Sequence, residues 1–268
     1  VAVADVDLEK AGRAYTRFPK NGQFTDYRRM LDKMHKSLDA VIVATPDHTH
    51  FHPAYTAMDM GLHLYLEKPM AHNVWEIRKL TEIAKKNKLV TQLGMQRHTK
   101  DNMHRVSELI QSGAIGDITE AHSWIDSARG MIPLGKTPQK IPATLDYDLW
   151  LGPVEHRPYD KDVTPYGWRF WWDFGTGEAG NWGCHILDIP YDALRLDYPT
   201  HVGASGPDPH EAMTTTSMHT WFDFPAKGKR KALKCNWYQA PGGPEILKKL
   251  NLPAGGNNNL FIGTNGML

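Results

Sequence analysis

The chain has almost no cysteine: Cys184 and Cys235 are the only two in 268 residues, and they lie far apart. Two distant thiols indicate neither a disulfide framework nor a thiolate zinc site. Net charge is nearly absent as well, because 31 Lys and Arg face 30 Asp and Glu to leave +1. No basic surplus recommends nucleic acid or an anionic membrane as partner. Long apolar runs are missing, and none approaches the ~18 residues that a membrane span needs. There is no charged n-region with an apolar stretch behind it, so no targeting signal is read. What remains is an ordinary globular profile, 41% hydrophobic and 23% charged, with enough chain for two medium domains.

The first third alternates short, continuous apolar strands with amphipathic helices. Strands are expected over Val1–Asp5, Ala40–Thr45, His63–Glu67 and Leu89–Gly94, and helices over 8–18, 26–36 and 52–60. Asn73 followed by Glu76 is a capping arrangement for a further helix running to about Lys86. Strand and helix in turn argue for βαβ units and a doubly wound parallel sheet covered on both faces. Beyond Gln96 the pattern changes. Residues 118–126 alternate between unlike faces, and strands over 218–224, 233–239 and 260–264 have no crossover helices between them. The fold class expected is therefore α/β, a Rossmann-like sheet over residues 1–97 followed over 98–268 by an α/β domain with an open, mostly antiparallel sheet. The stretch 131–177, rich in Pro, Gly, Trp and Tyr, reads as a long ordered loop, and loops of that length are usually functional. Both ends read as cut through strand-like sequence, so an internal piece of a longer chain is expected.

Four places invite chemistry. Asp5 ends the first strand, where a dinucleotide fold uses an acid to accept bonds from ribose hydroxyls; the plain alternative is a helix cap. Val6 and Asp7 follow with no arginine to neutralise a 2′-phosphate, which favours NAD over NADP. Thr45-Pro46 closes the second strand, and Asp47-His48-Thr49-His50 after it is open to a metal or a polar-turn reading. Glu67-Lys68-Pro69 puts a lysine at a strand's carboxyl end, suited to proton transfer, although a bare surface turn has the same sequence. In Gly180-Asn181-Trp182-Gly183-Cys184-His185-Ile186-Leu187-Asp188, a helix would place Asn181, His185 and Asp188 on one face. His185 there is either a base for a substrate hydroxyl or a buried structural histidine. Trp168, Trp171 and Trp172 nearby are either a platform for a sugar face or core.

Taken in order, Asp5, Thr45-Pro46, Glu67-Lys68-Pro69 and Gly183 to Asp188 resemble the Gfo/Idh/MocA oxidoreductase family. Gly94-Met95-Gln96-Arg97, Ser112 to Gly116 and Leu149-Trp150-Leu151-Gly152-Pro153 support the likeness over nearly the whole chain. The resemblance implies an NAD(P)-dependent dehydrogenase acting on a secondary hydroxyl of a sugar or polyol, homo-oligomeric, cytoplasmic by default with periplasmic export left open. It implies Lys68, His185 and Asn181 as catalytic residues, and Asp5, Thr45, Pro46, His50, Glu67, Lys68 and Gln96 around the cofactor. Substrate contacts would be Lys68, Arg97, Trp168, Asn181 and His185, and no metal is implied. Asn181 stands where many members have aspartate. The phosphate-binding glycine loop expected of the family does not appear. An alternative on the same fold is an NAD-dependent glycoside hydrolase working by transient oxidation.

Overall fold

A computed structural model describes residues 1–19, 22–131 and 139–268. Residues 132–138, part of the long loop expected over 131–177, lie outside that set. The chain forms two compact units that are not consecutive segments. Val1–Gly94 joins Pro133–Gly175 in the first, and Met95–Ile132 joins Thr176–Leu268 in the second. A single break after residue 97 does not describe this partition.

The first unit holds β1 (Ala2–Ala4), α1 (Leu8–Arg17), β2 (Gly22–Phe24), α2 (Tyr27–Met34), β3 (Ala40–Val43), α3 (Phe51–Asp59), β4 (His63–Glu67), α4 (Val74–Lys86) and β5 (Thr91–Gly94). β1 pairs with β2, and β3, β4 and β5 pair in that order, every pairing parallel. Parallel neighbours need crossovers, and the alternating helices supply them. Val41, Val43, Leu64 and Leu66 point into a core with Ala54, Ala57, Met58, Leu80 and Ile83 from α3 and α4. The expected cap of α4 forms: Asn73 Oδ1 accepts the Glu76 N–H at 3.0 Å, and Glu76 accepts from the His72 N–H at 3.0 Å. β2 was not expected, because three residues of Gly-Gln-Phe carry no periodic signal.

Residues 139–175 return to this unit through specific backbone bonds. Leu8 N–H donates to the Thr144 carbonyl and Asp146 N–H to the Val6 carbonyl, each at 2.9 Å. A short helix over Tyr147–Leu151 then buries Tyr147, Trp150 and Leu151. Trp150 and Phe174 pack together at 5.0 Å between ring centres. Residues 139–175 are held by their aromatic side chains, which carry the apolar area that such a segment otherwise lacks.

The second unit holds α5 (Asp101–Gln111), β6 (Ile118–Ile125), α6 (Cys184–Ala193), β7 (His201–Ser205), β8 (Met218–Phe224), β9 (Leu233–Gln239), α7 (Glu245–Lys249), β10 (Asn257–Gly263) and β11 (Gly266–Met267). Its sheet runs β11-β10-β6-β9-β8-β7, antiparallel except for the β6–β9 pair. Ala121, Phe224, Cys235 and Phe261 form its core with Ile110 of α5 and Ala193 of α6. Both cysteines are free thiols, and burial pushes Cys235 up to about 12. Among the described residues no helix is long and apolar enough to cross a membrane.

Candidate active site

In the first unit the candidate residues sit in a row at the carboxyl ends of parallel strands, where open α/β sheets bind their ligands. Asp5 follows β1, Thr45-Pro46 follows β3, Glu67 and Lys68 close β4, and Gly94 ends β5. Asp5 is not the helix cap. Asp7 caps α1 by accepting the N–H groups of Glu9 and Lys10, while Asp5 Oδ1 accepts the Asp7 N–H at 2.9 Å. Burial raises the Asp5 carboxyl above its usual range, the Asp7 N–H opposes that, and the Asp7 charge adds to it.

Glu67 lies against Gly94: a Cβ on that glycine would sit 2.7 Å from the Glu67 carboxyl carbon. The missing side chain at Gly94 therefore lets the carboxyl group rest over β5. Lys68 is half-buried and joined to Pro69 by a cis peptide bond. His50 fixes this turn from behind. Its Nδ1 lies 2.7 Å from the Pro69 carbonyl and its Nε2 2.7 Å from the Thr45 carbonyl. His50 is buried with both ring nitrogens on backbone oxygens, so it braces two strand-end turns.

His48, its neighbour in the Asp47–His50 stretch, is a core residue. Its Nε2–H donates to the Trp150 carbonyl at 2.9 Å, and its ring meets Trp150 and Phe174 at 5.2 and 5.1 Å. Among the described residues no group of three or more His, Cys, Asp or Glu is placed to hold a metal ion. Burial lowers His48 from 6.5 to about 4, partly opposed by its bond to the Trp150 carbonyl. A depressed histidine stabilises the fold above its unfolded value and loses that contribution as pH falls towards its folded value. Stability should fall by roughly 3 kcal/mol between pH 6.5 and 4 from this group alone, at about 1.4 kcal/mol per unit. His48→Gln keeps a donor for Trp150, so urea unfolding across that window should show a shallower slope in the variant. An unchanged slope counts against His48 as the source.

Trp168 does not form an open platform. It is 6% exposed, its Nε1–H donates to the Pro165 carbonyl at 3.0 Å, and Arg169 lies over its ring at 4.3 Å. Trp171 is also buried, whereas Trp172 is 41% exposed. Sequence gives no signal separating three tryptophans within five residues; packing does.

In the second unit, the expected helix around His185 begins as a π turn over Ala179–Gly183 and continues as α6. Such turns are frequent at functional sites. Asn181 and His185, four residues apart, stay on one side of it. Asp188 accepts a bond from His98 Nδ1 at 2.8 Å. Arg97 stacks over Trp182 at 4.5 Å, and Trp182 meets the His185 ring edge-on at 6.0 Å. Gln96 is exposed. Two residues that sequence reading passed over matter here. Glu178 is fully buried and Arg129 pairs with it at 2.6 Å. The only hint was an acidic residue one turn before Asn181; nothing local points to its partner 49 residues away.

Comparison with known proteins agrees with this architecture. Residues 1–95 match the model of an oxidoreductase family with an NAD-binding Rossmann fold, and residues 114–224 match that of an oxidoreductase-family C-terminal alpha/beta domain. An inositol 2-dehydrogenase of Salmonella typhimurium is 26% identical over 151 residues, which is 56% of this chain and 44% of the relative. A levoglucosan dehydrogenase of Pseudarthrobacter phenanthrenivorans is 28% identical over 188 residues, 70% of this chain and 40% of the relative. The match thus spans less than half of these curated relatives. The solved NAD-binding protein from Listeria innocua superposes with a TM-score of 0.66 at 19% identity, covering 99% of this chain and 64% of that one. None of these likenesses supports the glycoside hydrolase alternative.

Proposed function

The chain belongs to the Gfo/Idh/MocA oxidoreductase family, and from that premise we propose an NAD-dependent dehydrogenase that oxidises a secondary hydroxyl of a sugar or polyol. The observation that carries this reading is the row of strand ends bearing Asp5, Thr45-Pro46 and Lys68. That row fits a dinucleotide. Asp5 keeps a carboxylate oxygen beyond its turn with Asp7, as two ribose hydroxyls require, and the same pair of acids would repel a 2′-phosphate. NAD is therefore preferred to NADP. Bound nicotinamide supplies the hydride acceptor.

The chain's own residues do the rest. His185 accepts the proton of the reacting hydroxyl as the C–H electron pair leaves with hydride. The Lys68 ammonium donates to that oxygen and holds it in line, and its charge favours the alkoxide character that develops there. Asn181 cannot carry charge, so it orients His185 rather than balancing an imidazolium. Arg97, stacked on Trp182, offers donors for further substrate hydroxyls. The inositol and levoglucosan relatives support cyclic polyols and sugars as the substrate class.

The test is to incubate the full-length protein with NAD⁺ and a panel of sugars, sugar acids and inositols while following nicotinamide absorbance. Reduction with at least one polyol is expected. A protein that binds NAD⁺ but reduces none of it with any member of the panel overturns the reading.

A further inference from the structure

Glu178 is a fully buried carboxylate that the reaction as proposed does not use. Among the described residues, the bonds its carboxylate accepts come from the second unit. Its Oε1 accepts from the Arg129 guanidinium at 2.6 Å and from Ser127 Oγ at 2.9 Å, and its Oε2 accepts from Asn181 Nδ2 at 3.1 Å. Arg129 is itself tied down, since its backbone carbonyl takes a 2.7 Å bond from Gln239 Nε2, which also reaches the Thr215 carbonyl. The backbone that carries Arg129 is therefore held against β9, while its half-exposed side chain reaches the buried Glu178.

This arrangement dictates what can stand at 181. An amide offers Glu178 a donor and keeps an acceptor on its other side, which a carboxylate cannot do. With Nδ2 committed, Oδ1 is turned away from Glu178 and the amide has one orientation. Aspartate at 181 would instead set two carboxylates about 3 Å apart in a partly buried site, where they repel and no donor bridges them. The negative charge associated with this turn thus sits at 178, paired with Arg129, and the amide at 181 transmits its position.

We propose that Glu178 is the positioning residue of the catalytic centre, holding the Asn181 amide in a single orientation on the face of the helix that carries His185. The proposal rests on His185 as the base, so its test is built to separate the two. In the full-length enzyme, Glu178→Gln, Asn181→Asp and the double variant exchange carboxylate and amide between the two positions. Three readouts apply: thermal unfolding, the His185 ring state by long-range ¹H–¹⁵N NMR assigned against His185→Ala, and kcat with KM for the best polyol of the panel.

Glu178→Gln should lower kcat by about 10²-fold, the low end for an acid–base group, with KM little changed and His185 no longer in one predominant tautomer. Asn181→Asp should be the least stable and least active of the three. The double variant should recover stability, a single His185 tautomer and much of the kcat that Asn181→Asp loses. A merely structural role predicts recovery of stability without a change in the His185 tautomer across the three variants. The proposal is overturned if the double variant is no better than Asn181→Asp, or if Glu178→Gln leaves the His185 spectrum as in the wild type. Where Glu178→Gln does not fold, Ser127→Ala removes one donor and spares the Arg129 pair; an unchanged His185 spectrum there also overturns it. If no polyol reduces NAD⁺, the dehydrogenase reading falls, and the spectrum and the stability cycle still decide the role of Glu178.

Discussion

Lys68→Ala is expected to lower kcat for polyol-dependent NAD⁺ reduction by about 10²–10⁴-fold, the range for removing one acid–base group. The fold should hardly notice. Lys68 is half-buried, and the turn that carries it is fixed by other atoms. His50 grips the Pro69 carbonyl, Glu67 rests over Gly94, and β4 is paired on both edges. Thermal unfolding and NAD⁺ titration calorimetry beside the kinetics separate chemistry from folding. Lys68→Arg keeps the charge but replaces a compact ammonium by a planar fork of different reach, so it should restore little. Turnover within tenfold of the wild type in Lys68→Ala would remove the lysine from the mechanism.

Phe174→Ala should be the most destabilising single truncation in the returning segment, at about 3–5 kcal/mol. The ring is fully buried, with His48 at 5.1 Å, Trp150 at 5.0 Å and the Arg157 guanidinium at 4.9 Å from its centre. Removing it leaves a cavity lined by rigid aromatic groups that cannot collapse into the space. It also lets water towards His48, whose proton affinity should climb back towards 6.5. Urea unfolding with a pH titration of His48 measures both effects together. A loss below about 1 kcal/mol would mean that the aromatic segment is an appendage of the first unit rather than part of its core.

Much of this molecule is readable from its sequence, and the reason is periodicity. β8 and β9 fall on the residues expected, and the helix after Asn73 starts where its cap predicts. Segments that must bury one face write that requirement into their own spacing. Where the pattern fails, the partner is remote. β10 begins at Asn257, inside a Gly/Asn-rich stretch that looks like a turn, because Ser123 Oγ and the Asp126 N–H bond to the side chains of Asn259 and Asn257 across the sheet. Three asparagines have no strand preference of their own.

The candidate site divides along the same line. Asp5, Thr45-Pro46, Lys68 and His185 stand out in the sequence because each follows a strand end or lies on a helical face, which are local properties of the chain. Tertiary structure alone assigned His50 to bracing two turns, covered Trp168 with Arg169, and folded residues 139–175 back onto the first unit. It also placed Arg129 against Glu178 across 49 residues of chain. A buried charge must find its partner in space, and nothing in the neighbouring sequence records where that partner lies. The sequence determined which elements form; packing decided which candidate groups are exposed, as Gln96 is, and which are buried, as His50, Trp168 and His185 are.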